Sequence, residues 1–274
     1  MVATYETKTD YKVVGKTPIR HDGLDKVTGR AVYGGDVTAP GLIWGDVVRS
    51  PHSHARIKSI DTSAAEAMDG VFAVLTHADF PVTEEREIST GEDVVNLKRD
   101  QSNVMADDKV HYKGHVIAAV AAVDRNTAQE AASKIKVEYD VLPNVSDVDT
   151  AMAKNAPVIL ETLVGDHLGE DVPNTNIAKV FRHEFGNLDD AFAKSDLVVE
   201  RTFTMSMIHQ GYIEPHNATA IWAEDGNITV WSSTQGSFGV RAQTAGMIGV
   251  PESRVKVNYV EIGGGFGGKT KVYF

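Results

Sequence analysis

Runs of apolar residues, and the spacing between them, divide most of the chain into strands and helices. "LIWGDVVRS" and "ARIKSID" predict strands on either side of the loop "PHSH". "GVFAVLT" and "HVIAAVAAV" are short continuous apolar runs, the pattern of buried strands. Between them, residues 80–103 are polar and carry turn signals, which predicts a long loop or insertion. "DRNTAQEAASKIK" places Ala128, Ala131, Ala132 and Ile135 at helical spacing, and "VEYDVLP" closes a strand at Pro143. Ser63 with Glu66, and Thr127 with Glu130, read as capping boxes. Ahead of these, "GKTPIRHDGLDKVTGRAVYGGD" reads as an irregular arm entering a short strand at Ala31–Tyr33, and the first dozen residues as a loose polar leader. Strand–helix–strand alternation predicts an α/β module over residues 15–148.

A mixed stretch at 144–177 marks the boundary to a second unit, residues 149–274. There "AKVFRHEFG" and "LVVERTFTMS" read as strands around the short helix "NLDDAFAKS", whose Asp189 and Asp190 suit a helix N-terminus. "TAIWAEDGNITVWSS" predicts a hairpin turning at Asp225-Gly226. "FGVRAQTAGMIGV" predicts a helix ending near Gly249, with Pro251 beyond it. "SRVKVNYVEI" predicts a strand that feeds a glycine-rich loop. The fold class is therefore α/β (α+β).

Composition narrows the chemistry. The net charge of −11 and the lack of a long basic run argue against nucleic acid as a partner. There is no cysteine, which excludes disulfides, thiolate metal sites and clusters ligated by this chain. The polar start and the lack of a long apolar run predict neither a signal peptide nor a membrane span, and a cytoplasmic location.

Gly263–Thr270 spell GGGFGGKT, a formal match to the phosphate-cradling P-loop. A P-loop needs a following helix whose amides face the phosphates. Only Lys271–Phe274 follow, and they read as the opening of a strand. The glycines then need another cause: positive φ, or close approach of the backbone to a bulky partner. A ligand-facing Phe266 N–H and a plain packed turn both satisfy the composition.

The same residues resemble a known family. "VEIGGGFGGK", with "ITVWSSTQ", "GVPESRVKV" and "HQGYIEPHNATAIW", is similar to the molybdenum-binding large subunit of the xanthine dehydrogenase and aldehyde oxidase family. "TPIRHDGLDKVTGRAVYGGD", "PGLIWGDVVRSPHSHARIKSID" and "VEYDVLP" are similar to its α/β-hammerhead domain. The resemblance implies a hammerhead domain over 15–148 and the first part of a molybdopterin-binding domain over 149–274. It implies a molybdopterin cofactor, as such or as a dinucleotide, whose metal takes no protein side chain as ligand. Gln235 would hydrogen-bond an oxo or sulfido ligand of the metal, and Phe266 would offer its backbone N–H to a molybdenum oxygen. Gly264, Gly265, Gly267 and Gly268 would let the backbone approach the group. The implied reaction is hydroxylation of an N-heterocyclic aromatic or an aldehyde, with water as the oxygen source. Electrons would leave through [2Fe–2S] and FAD centres on an iron–sulfur subunit and a flavin subunit.

Two departures qualify the resemblance. Xanthine-type members carry a glutamate after the loop lysine; here Thr270 occupies that substrate-facing position, which argues against a purine. The family's large subunit also continues for several hundred residues, including the glutamate thought to be the general base. A further chain carrying the rest of the molybdopterin domain is therefore expected, the alternative being a non-catalytic assembly subunit or a truncated remnant. Other residues read as structural: His52 and His54 of the hammerhead, rather than as a metal site, and Glu214, flanked by His209 and His216, at a strand edge beside Pro215, rather than as a general base. Lys269 reads equally as a cofactor-phosphate ligand, a solvated cation or a salt-bridge partner. The acidic stretch "TEEREISTGED" reads as a solvated loop.

Overall fold

The computed structural model describes residues 11–83, 85–89 and 94–272. In chain order its main elements are α1 (Gly23–Thr28), β1 (Trp44–Arg49), β2 (Ala55–Asp61), α2 (Ser63–Glu66), β3 (Val71–Thr76), β4 (Glu87–Ser89) and β5 (Val94–Asn96). Then follow α3 (Leu97–Val104), β6 (Lys109–Val110), β7 (Val116–Ala122), α4 (Arg125–Lys134), β8 (Lys136–Val141) and α5 (Val148–Met152). The second unit holds β9 (Val164–His167), β10 (Glu170–Pro173), β11 (Lys179–Val180), α6 (Leu188–Ala193), β12 (Ala218–Trp222), β13 (Ile228–Ser232), α7 (Ser237–Met247) and β14 (Val255–Tyr259). The chain mixes helices with small sheets, as the α+β reading requires.

In the first unit β7 is central, antiparallel to β1 on one side and β3 on the other. The alanines of α4 let that helix lie close on this sheet: Ala131 and Ala132 pack with Ala118, Val120 and Ile135 in one core cluster. A second sheet, β6-β2-β8, packs its Ala55 and Val110 with Ile117 of β7 in a neighbouring cluster. The strand predicted as buried at "GVFAVLT" is only half-buried: Val71 and Val74 pack on the core while Phe72 and Leu75 are exposed. Neither capping box forms as read. Asp124 caps α4 by accepting from the Thr127 N–H, and Thr62 precedes α2 without a side-chain cap.

The largest correction lies at residues 80–103. Instead of a long loop, the described residues here form the antiparallel pair β4 and β5 and most of the helix α3. The helix is hard to see because its buried stripe is Leu97, Gln101 and Val104, with an amide in the middle. Gln101 is satisfied from far along the chain: its Nε2 donates to the Met247 carbonyl at 3.0 Å. Gly246 of α7 makes room for Leu97, whose methyls would lie 2.7 and 2.9 Å from any Cβ there. The side chain of Asn96 accepts from the Arg99 N–H at 3.0 Å and caps α3. Asn96→Ala should therefore cost about 1 kcal/mol. Urea unfolding would measure this, and a change within a few tenths of a kcal/mol would remove the cap as a contributor.

In the second unit β12 and β13 form the expected hairpin around Asp225-Gly226, with Gly226 at φ 82°. β13 and β14 are parallel neighbours joined by α7, which covers Ile228, Val230 and Val255 with Ala245. Of two further expected strands, one forms only in part and the other does not form. "AKVFRHEFG" contributes only the two residues of β11, and "LVVERTFTMS" is exposed and joins no sheet. Extended β-rich sequence needs a ladder partner to become a strand, and none of the described residues supplies one to "LVVERTFTMS". The predicted strand at Ala31–Tyr33 reduces to one bridge, Tyr33 to Glu261, and α1 forms inside the arm. The loose leader and the expected terminal strand fall largely on residues 1–10 and 273–274, outside the described set; Glu84 and residues 90–93 of the acidic stretch lie outside it too.

Candidate functional site

The register of the β12-β13-β14 sheet decides what meets. Ser232, at the end of β13, lies opposite Ala218, at the start of β12, and opposite Tyr259, at the end of β14. Three connections therefore emerge at one end of this sheet: residues 209–217, residues 233–236 and the glycine loop 261–270. The ends of adjacent parallel strands are a recurrent ligand position in α/β sheets. The arm joins from a fourth direction. The Glu261 N–H donates to the Val32 carbonyl, Lys26 ion-pairs with Glu261, and Gly34 packs against Asn217.

Gln235 and the loop are bound to each other. The Gln235 N–H donates to the Lys269 carbonyl at 2.8 Å, and its Oε1 accepts from the N–H groups of Gly267 (3.0 Å) and Lys269 (3.3 Å). Two backbone donors on one oxygen fix which way the carboxamide faces. Among the described residues nothing accepts from Gln235 Nε2 or from the Phe266 N–H. Phe266 itself has φ 50°, unusual for a residue with a side chain, and its ring is 73% exposed, so it is not a core aromatic. Thr270 is half-buried and its hydroxyl donates to the Gly267 carbonyl.

The glycines divide by cause. Gly264 (φ 98°) and Gly267 (φ 85°) supply positive φ. Gly263, Gly265 and Gly268 instead leave space for this chain's own side chains. A Cβ would sit 2.4 Å from the Glu214 Cβ at Gly263, 2.5 Å from Gln235 Oε1 at Gly265, and 2.9 Å from the Tyr212 ring at Gly268.

Glu214, read from the sequence as structural, has a structural role, and one that reaches well beyond a strand edge. Its Oε2 accepts from Lys269 Nζ (2.7 Å), Ser233 Oγ (2.6 Å) and the Gly263 N–H (2.7 Å). Burial alone would raise its pKa; the hydrogen bonds from Lys269, Ser233 and Gly263 outweigh that and pull it down to about 2. A carboxylate held ionised so far below neutrality is no general base. Lys269 is fully buried in this ion pair and also lies over the Tyr212 ring at 4.9 Å. It is thus the salt-bridge partner of the three readings, and it does not reach out to a phosphate. The Tyr212 hydroxyl joins His209 and His216 Nε2 at 3.1 and 2.6 Å. No local signal in the sequence pairs Glu214 with Lys269, which lie 55 residues apart.

His52 and His54 stay in the hammerhead-like unit, His54 Nδ1 against the Pro143 carbonyl and His52 edge-on to Tyr139. Two cavities of about 260 and 280 Å³ open beside α7, and neither is lined by the glycine loop. The loop and Gln235 lie on an open face, where two fixed donors can meet an anionic acceptor that arrives with its own scaffold. That donor set, and the positive-φ backbone around it, fit a group whose exposed ligands are oxygen or sulfur acceptors.

Residues 28–143 match the family model described as aldehyde oxidase and xanthine dehydrogenase, a/b hammerhead domain, and residues 168–274 match the molybdopterin cofactor-binding domain. The large molybdopterin subunit of nicotinate dehydrogenase from Eubacterium barkeri is 35% identical over 260 residues, 95% of this chain and 56% of that protein. The carbon monoxide dehydrogenase large chain of Afipia carboxidovorans is 36% identical over 249 residues, 89% of this chain and 30% of that one. The solved CO dehydrogenase of Oligotropha carboxidovorans superposes with a TM-score of 0.74 at 33% identity, over 94% of this chain and 32% of that one. The chain thus spans about half the length of the first relative and about a third of the others. Hammerhead unit, glycine loop and these matches agree that the chain belongs to the molybdopterin-binding large subunits of the xanthine dehydrogenase and aldehyde oxidase family.

Proposed function

We propose that this chain, divided at residues 148 and 149, forms the hammerhead domain and the first part of the cofactor domain of a molybdenum hydroxylase. The substrate is an N-heterocyclic aromatic or an aldehyde, and water supplies the oxygen. The observation that carries this reading is the pair of unpartnered donors, Gln235 Nε2 and the Phe266 N–H, on a sheet end where the family's cofactor domain matches. When bound, the molybdopterin group supplies the redox chemistry. Gln235 and Phe266 donate hydrogen bonds to its acceptor ligands. Donors that are already oriented stabilise developing negative charge without reorganising. Gly264, Gly265, Gly267 and Gly268 shape the backbone that presents them, and Thr270 offers an uncharged hydroxyl on the substrate side.

In this reading [2Fe–2S] centres are held by an iron–sulfur subunit and FAD by a flavin subunit, in a cytoplasmic hetero-oligomer; these 274 residues offer no cysteine to ligate a cluster. No helix among the described residues is long and apolar enough to cross a membrane. The remainder of the molybdopterin domain covers the open face. Phe203, Met205 and Met207 are each 88% exposed or more along a segment with no ladder partner among the described residues, which suits a sheet neighbour from that remainder. Purification of the complex with its partners, followed by molybdenum and pterin analysis, tests the proposal. About one molybdenum and one pterin per copy of this chain is the expected result. A complete complex containing neither would leave the assembly subunit or truncated remnant as the correct reading.

A further inference from the structure

We propose that Glu214 and Lys269 are a positioning pair that clamps the glycine loop and so aims the two unpartnered donors. One carboxylate oxygen, Glu214 Oε2, takes the Gly263 N–H from the start of the loop and Lys269 Nζ from its end, both at 2.7 Å. The loop is thereby tied at its two ends to a single atom. Ser233 Oγ donates to the same oxygen and also accepts from Lys269 Nζ at 2.9 Å, which adds the exit of β13 to the clamp. The backbone of Lys269 then holds Gln235 on both sides. Its carbonyl accepts from the Gln235 N–H and the Thr234 hydroxyl, and its N–H donates to Gln235 Oε1. Between the tied ends sits Phe266 in the left-handed region, a conformation that persists in a residue with a side chain only where the surroundings enforce it. The clamp supplies that enforcement.

The pair is buried, with the Lys269 side chain at 0% exposure and that of Glu214 at 13%. Removing only the carboxylate would strand a buried cation, which destabilises strongly. Removing the cation leaves Glu214 its Ser233 and Gly263 donors. The charge-balanced double variant Glu214→Gln with Lys269→Met, which leaves no unpaired buried charge, is therefore the first test, and Lys269→Met, which leaves the Glu214 carboxylate hydrogen-bonded to Ser233 and Gly263 but without its cation, is the second.

The inference rests on the proposed function for what the donors face, but not for the clamp itself. Hydrogen exchange on the full chain reads the clamp without any cofactor. In both variants the amides of Gly267, Gly268 and residue 269 should exchange about tenfold faster than in the parent, while the β13 and β14 amides stay unchanged. Parent-like exchange at those three amides overturns the clamp. In the assembled, molybdenum-loaded enzyme the same variants should shift the Mo(V) electron paramagnetic resonance spectrum and lower kcat with KM unchanged. A loosened loop with the parent spectrum and parent kcat overturns the link to the donors. A complex lacking molybdenum ends the proposed function instead, and the exchange result then decides the clamp alone.

Discussion

Gly265→Ala is expected to reduce turnover of the assembled enzyme by about 10²–10³-fold, the size of effect seen when one fixed donor is lost from a charge-stabilising site. Its effect on folding should be small. The added methyl would lie 2.5 Å from Gln235 Oε1 and 2.7 Å from Cδ, so the carboxamide must leave. Gln235 is a flexible side chain whose tip can move without disturbing a core, and Gly265 is not among the positive-φ glycines, so alanine suits its backbone. The movement breaks the bonds from the Gly267 and Lys269 amides to Oε1 and releases the orientation of Nε2. The contrast with Gly263→Ala is informative. There the obstacle is the Glu214 Cβ at 2.4 Å, close to the backbone, so stability should fall as well. Turnover and thermal unfolding measured together separate the two positions. Parent-like turnover in Gly265→Ala would show that the packed Gln235 is dispensable.

Acidification from pH 7 to pH 4 should cost the first unit about 3 kcal/mol through His115 alone. This imidazole is fully buried behind β7. Its Nε2 faces the Ser102 carbonyl at 2.9 Å, while Nδ1 accepts from the His111 N–H at 3.3 Å. A nitrogen that accepts from an amide cannot also carry a proton. Burial disfavours the imidazolium and lowers the pKa from 6.5 to about 4. The sign follows from proton counting: between those values the unfolded chain binds a proton that the folded chain refuses. Stability therefore falls as pH drops from 6.5 and levels off below about 4. His111 is lowered too, mainly by burial, and acts in the same sense. Glu214 adds a separate acid limb, because its stabilisation is lost between its ordinary 4.5 and about 2. Urea unfolding of the parent and of His115→Asn at pH 7, 5.5 and 4 checks this. The variant should lose most of the slope between pH 6.5 and 4, and an unchanged slope would assign it elsewhere.

Local chemistry alone determined a large part of this protein. Period and turn residues located β7, α4, the β12–β13 hairpin, α7 and β14, because each carries its signal in its own residues: a continuous apolar run in β7, an apolar face or a turn pair in the others. The motif string around Gly263–Thr270 pointed to the family, and the absence of cysteine excluded iron–sulfur ligation by this chain. What the tertiary structure decided involves pairs far apart in the chain. Gln101 can sit in the buried stripe of a helix because the distant carbonyls of Met247 and Pro81 satisfy its amide. "LVVERTFTMS" has strand composition but no ladder, since the hydrogen bonds of a strand belong to its neighbour. The glycines, read as room for a ligand, are in part room for Glu214, Gln235 and Tyr212. Lys269, left open between solvent, phosphate and carboxylate, is settled by a carboxylate 55 residues away. A charge in a loop is cheap when solvated and costly when buried. Only the fold reveals which of the two it is, because burial and partner both depend on how the strand ends of one sheet are brought together.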